Sequence, residues 1–97
     1  MAKRLTSVFT DNMDACIFTG SYEVERHHIF GAANKSRSEE YGYVVPLRYD
    51  LHPNGARADM RYAKEIDTHL KQMAQRHYEE NKGTRDDFIK EFGRNYL

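Results

Sequence analysis

Tyr22-Glu23-Val24-Glu25-Arg26-His27-His28-Ile29-Phe30 reads as a strand, with Val24 and Ile29 as its apolar anchors and Gly31 as its stop. Upstream, Cys16-Ile17-Phe18 is a short apolar run closed by the turn signal Thr19-Gly20. Leu5, Val8 and Phe9 precede it as candidates to dock on a core. Downstream, the small and polar residues from Ala32 to Ser38 predict a loop, with a single helical turn at Glu39-Glu40-Tyr41 before Gly42. Tyr43-Val44-Val45-Pro46-Leu47 is a second strand, rich in side chains that suit a pleated surface. Pro46 has no N–H for a ladder, so this strand is short or lies at an edge. Leu51-His52-Pro53-Asn54-Gly55 is then a turn.

Beyond residue 56 the pattern becomes helical. From Asp59 to Asn81, Tyr62, Ile66, Leu70, Met73 and His77 recur at spacings of four, four, three and four, one stripe of a long amphipathic helix. Asp59 suits the positive end of its dipole and Gly83 stops it. Thr84-Arg85-Asp86-Asp87 is a capping box with Asp in place of Glu. It opens a last short helix with the face Phe88, Ile89 and Phe92, ended by Gly93, after which Tyr96 and Leu97 are expected to pack back on the core. The chain thus reads as one α+β domain over 1–97, with an N-terminal segment 1–15, a hairpin and loops over 16–58, and a helical part over 59–97.

Size and composition bound the function. With 97 residues the core is modest, and seven Tyr and five Phe supply its bulk. Fifteen basic residues balance fifteen acidic ones. Attraction to phosphate backbones scales with uncompensated positive charge, which argues against a protein that simply coats DNA. Cys16 is the sole cysteine, so no internal disulfide and no CxxC zinc pair exist. It is expected to be a small buried side chain in a reducing, cytoplasmic setting. Lys3 and Arg4 are basic, but no apolar stretch of signal-peptide or membrane-spanning length follows them.

Three of the five histidines stand where a site can form: His27 and His28 near a strand end, and His52 in the turn before the long helix. Adjacent strand residues point to opposite sides, so a flat strand cannot aim both imidazoles at one ion. The pair makes sense as a division of labour, one ring binding a divalent cation and its neighbour activating a water. His69 and His77, on the long helix, are expected to be solvated and edge-packed respectively. Arg26, Lys35, Arg37, Arg48, Arg57, Arg61 and Lys64 rim the hairpin and helix start, and could grip a phosphate backbone. Lys71, Arg76, Lys82 and Lys90 alternate with acids and read as solvated surface.

The run Glu25-Arg26-His27-His28-Ile29-Phe30-Gly31, a loop with Asn34, then Tyr41-Gly42, Val45-Pro46-Leu47 and His52 before a helix resembles the HNH endonucleases. These are His-Me finger nucleases with a ββα-metal fold, and the likeness is strongest to compact bacteriophage proteins of this kind. The resemblance implies that His27 and His52 are metal ligands and that His28 is the general base. It implies one divalent ion, Mg²⁺, Mn²⁺, Ni²⁺ or Zn²⁺, of which two imidazoles favour the softer. Asn34, Asn54, Arg26 and Arg61 are candidates to orient phosphate or ligand. The sequence departs from the pattern at Val44 and Val45, where the middle Asn of the motif is expected. In the first helical turn Arg57, Asp59 and Arg61 stand where relatives place His or Asn; Asp59 could serve as an oxygen ligand, or Arg61 could fill the site.

The resemblance implies an endonuclease that hydrolyses DNA phosphodiester bonds with one metal, in the cytoplasm of a bacterial host. The departures motivate an alternative: an HNH-like phage protein without catalysis, which binds nucleic acid or inhibits a nucleic-acid-processing partner such as a host defence nuclease. A third reading is an assembly protein that dimerises through the long helix.

Overall fold

A computed structural model describes residues 5–97; Lys3 and Arg4 lie outside the described residues. The architecture is α+β. Strand β1 (Val24–His28) is followed by a 3-10 turn (Ala32–Asn34), helix α1 (Lys35–Tyr41), strand β2 (Val44–Arg48), helix α2 (Met60–Asn81) and helix α3 (Arg85–Phe92). β1 and β2 pair antiparallel in a two-stranded sheet, from Val24 opposite Arg48 to His28 opposite Val44. Pro46 has no N–H to offer, but its carbonyl accepts the Ile17 N–H at 3.1 Å, so the apolar run at 16–18 docks on β2. The turn that follows closes with the Gly20 N–H donating to the Cys16 carbonyl at 2.9 Å, with Gly20 at φ +75°. Cys16 is buried.

β1 is shorter than the apolar pattern predicts, and the same contact explains a helix where the sequence predicts a loop. The Ile29 N–H still donates to the Tyr43 carbonyl at 2.9 Å. Phe30 is taken out of the ladder by Ser38: its N–H donates to Ser38 Oγ at 3.0 Å, and Ser38 Oγ donates to the Phe30 carbonyl at 2.7 Å. Ser38 is fully buried on α1. A seven-residue helix with two serines has little stability of its own, so α1 exists because Ser38 and the Tyr41 ring, stacked on Tyr43 at 5.6 Å, anchor it to the strands.

The core joins Ile29 and Phe30, Tyr43, Val45 and Leu47 of the second strand region, Leu70, Ala74 and Tyr78 of α2, and Phe88 and Phe92 of α3. Val44 to Leu47 are all buried, so β2 is covered on both faces in spite of its proline. On α2, Leu70 lies at the centre of the core, with Ile66 and Met73 against it as the stripe predicts. The fully buried line, however, runs through Ala63, Leu70, Ala74 and Tyr78, and Tyr62 falls off it at 46% exposed. Alanines let the helix approach closely, which a reading weighted toward large apolar residues overlooks. α3 begins with the expected capping box at Thr84 and Asp87 and ends at Gly93, φ +95°. Tyr96 packs against the core; Leu97, expected to do the same, is 40% exposed, its backbone held in a local turn by the Asn95 side chain. Among the described residues, no helix is long and apolar enough to cross a membrane.

Candidate functional site

Strand alternation sorts four residues of β1 into two pairs. Glu25 and His27 leave one face, Arg26 and His28 the other. His27 is 2% exposed, and its ring meets the ring of His52 edge to face, with centroids 4.9 Å apart. Its Nε2 is the buried side-chain polar atom that has no hydrogen-bond partner among the described residues. Native interiors pair nearly all such atoms, so this nitrogen is open to a partner that the described residues do not supply. Two imidazoles on one ion, with N–metal bonds near 2.1 Å, have centroids roughly 4.6–5.3 Å apart for angles between octahedral and tetrahedral. The observed separation falls inside that range.

The electrostatics suit a ligand as well. Burial, then the neighbouring His52, Lys71 and His28, push the His27 imidazole down from 6.5 to about 3. The ring is therefore neutral at ordinary pH, with a lone pair to offer. Lys71 is consequently more than a solvated charge: it is half-buried, ion-paired with Asp67 at 2.9 Å, and its field reaches His27.

His52 is presented by the turn after β2, closed by the Gly55 N–H donating to the His52 carbonyl at 2.9 Å. Its Nδ1 lies 2.8 Å from Glu25 Oε1, and the other oxygen of Glu25 lies 3.5 Å from Arg57 Nη2. The His52 hydrogen bond holds the Glu25 carboxyl below its ordinary range. Among the described residues no group of three or more His, Cys, Asp or Glu side chains is arranged to hold an ion. Of the three candidate histidines, the rings that the structure brings together are those of His27 and His52 alone.

His28 does not join that pair. It leaves the opposite face of β1, where its Nε2 lies 2.9 Å from Glu39 Oε1 on α1. The other candidates are spread more widely. Asn34 precedes α1, with its Nδ2 3.5 Å from the Phe92 carbonyl and its Oδ1 accepting from Arg37 at 3.2 Å. Asn54 is exposed in the His52 turn. Arg26 is half-exposed, 3.6 Å from Asp14. Arg61 and Asp59 engage each other at 2.7 Å, and Asp59 also accepts the Arg61 N–H at 3.0 Å as the cap of α2. Arg48 is paired with Asp50, and Arg57 with Glu25, so several of the expected phosphate-gripping cations already have carboxylate partners.

Two carboxylates escaped the sequence reading. Glu25 carried a usable signal, since it lies two residues before His27 and must share its face. Glu39 was expected in a helical turn, but nothing local tied that turn to His28; the contact depends on how α1 docks on β1. Compared with models of known families, with curated proteins and with solved structures, the chain matches none.

Proposed function

We propose that this protein is a metal-dependent phosphodiesterase acting on DNA, with the ββα-metal arrangement of an HNH endonuclease. The observation that carries the reading is the unpartnered Nε2 of buried His27 beside the ring of His52. Two antiparallel strands followed by a helix, with α1 inserted between the strands, support it, with one histidine on β1 and the other ahead of α2. His27 and His52 would hold the ion, and two imidazoles suit Mn²⁺, Ni²⁺ or Zn²⁺ better than Mg²⁺. When bound, a divalent cation supplies electrostatic stabilisation of the charge that develops on a phosphate and its leaving oxygen.

The chain's own residues would do the rest. The Glu39 carboxylate can only accept, so the His28 Nε2 bonded to it carries hydrogen and Nδ1 is the atom free to take a proton from water. Arg26 shares the face of His28 and, half-exposed beside Asp14, would meet a phosphate there. Because His27 and His28 leave β1 on opposite faces, the reading requires the phosphate to lie across the edge of β1 that pairs with no strand.

The separation of His28 from the imidazole pair favours a second reading, binding without hydrolysis. A plasmid-nicking assay decides between them. Wild type with Mn²⁺ is expected to nick and to stop on addition of EDTA, and His28→Ala is expected to lose about 10²- to 10⁴-fold in rate. A wild type that binds metal and DNA yet never nicks supports the second reading. Undiminished cleavage by His28→Ala removes His28 as the base.

A further inference from the structure

We propose that Glu25 is a positioning residue, which fixes the His52 ring with its hydrogen on Nδ1 so that the Nε2 lone pair is free for an ion shared with His27. The inference rests on the metal reading above and deepens it. A carboxylate oxygen accepts and cannot donate, so the 2.8 Å contact to Glu25 requires hydrogen on His52 Nδ1. A free neutral imidazole in water prefers the opposite tautomer, with hydrogen on Nε2 and that atom closed to a metal. Glu25 thus reverses the intrinsic preference of the ring, as outer-shell carboxylates do for ligating histidines.

Two further features show that the contact is built. Arg57 lies 3.5 Å from the second oxygen of Glu25, and its guanidinium sits 4.1 Å over the Tyr49 ring, so the carboxylate is held from behind. Gly55 supplies the space. A Cβ there would lie 2.8 Å from Glu25 Oε1 and 3.1 Å from His52 Nδ1. Gly55 is not among the glycines with positive φ, so its backbone does not demand glycine; a side chain there would instead displace the Glu25 carboxylate or the His52 ring. The turn that presents His52 therefore lacks a side chain at the point where one would press the pair apart.

The test combines ring nitrogen-15 NMR of the metal-free protein with Mn²⁺ titration calorimetry on wild type, Glu25→Ala, Glu25→Gln and Gly55→Ala. Wild type is expected to carry hydrogen on His52 Nδ1. Glu25→Ala is expected to move it to Nε2 and to weaken Mn²⁺ by about 10- to 100-fold. Glu25→Gln keeps a carbonyl acceptor and is expected to keep the tautomer with a smaller loss. Gly55→Ala leaves every ligand and charge in place, so a loss of affinity there reports geometry alone. An unchanged tautomer and unchanged affinity in Glu25→Ala overturn the proposal. A wild type that binds no Mn²⁺ overturns the metal reading instead, and the tautomer then decides the role of Glu25 by itself.

Discussion

Around Glu91 polar groups are matched almost one for one, whereas around His27 a buried nitrogen has been left over. Tyr41 donates its hydroxyl to both oxygens of Glu91, at 2.7 and 2.8 Å, and Tyr78 donates to one of them at 2.5 Å. Nearby on α2, fully buried Gln75 donates to Glu79 and Asn95 and accepts the Tyr96 N–H at 2.7 Å. Burial, then the bond to Glu91, push the Tyr41 hydroxyl up to about 12, so it stays a donor at any ordinary pH. These contacts tie α1, α2 and the C-terminal residues together. His27 Nε2 has no counterpart to them. An unmet buried donor or acceptor costs about 1–3 kcal/mol. The first cluster is what a protein builds for stability; the second carries a cost that a ligand would offset.

The comparison predicts substitutions of opposite sign. Glu91→Ala strands two tyrosine hydroxyls and is expected to cost about 3–4 kcal/mol in urea unfolding with no change in Mn²⁺ affinity. His27→Leu removes the orphaned nitrogen and fills similar space. Measured in EDTA, it is expected to be as stable as wild type or up to about 1 kcal/mol more so. On the metal reading Mn²⁺ is expected to stabilise wild type, and the same variant is expected to show no such gain. A His27→Leu protein that is several kcal/mol less stable without metal would make His27 an ordinary core residue and erase the contrast.

The acid limb of stability sharpens the same difference. His27 has a folded value of about 3 against 6.5 when unperturbed, through burial first and neighbouring charge second. Between those values the unfolded chain binds a proton that the folded protein refuses, so stability is complete above pH 6.5 and falls as pH drops toward 3. From pH 7 to pH 4 the loss assigned to this ring is on the order of 3 kcal/mol. His27→Leu is expected to flatten that limb by a similar amount, measured in EDTA by urea titration at each pH. Equal slopes for the two proteins would mean that His27 takes up its proton while folded.

What the sequence disclosed follows from how local each signal was. Thr84, Asp87 and Gly93 act within one helix, and α3 forms where they place it. The β1–β2 pairing was legible from the apolar runs, and the meeting of His27 with His52 from a resemblance that aligned residues 25 positions apart. α1 was legible only in its last turn, at Glu39-Glu40-Tyr41. Its first half reads as loop because Ser36 and Ser38 are weak helix formers, and Ser38 is helical because its hydroxyl closes β1 through Phe30. Glu39 falls in the turn that was legible, but its pairing with His28 depends on how the whole of α1 docks on β1, which was not. Glu25 could have been: alternation alone puts it beside His27, and its pairing with His52 needed only the turn at Gly55.

The smallest expected effect tests whether the two clusters are independent. Thr84 Oγ1 accepts the Asp87 N–H at 3.1 Å, and Asp87 Oδ2 accepts the Thr84 N–H at 3.0 Å, so the box closes both ways at the start of α3. Thr84→Ala is expected to cost about 1 kcal/mol, the ordinary value for an exposed cap. That loss falls on the helix that carries Phe88, Glu91 and Phe92, and so on the satisfied cluster. His27, His52 and Glu25 belong to the hairpin and its turn, and among the described residues no hydrogen bond joins their side chains to α3. Mn²⁺ affinity is therefore expected to be unchanged within error while the urea midpoint falls. A Thr84→Ala protein that also binds Mn²⁺ several-fold more weakly would show that fraying of α3 reaches the imidazole pair through the core, and that the two regions share one reservoir of stability.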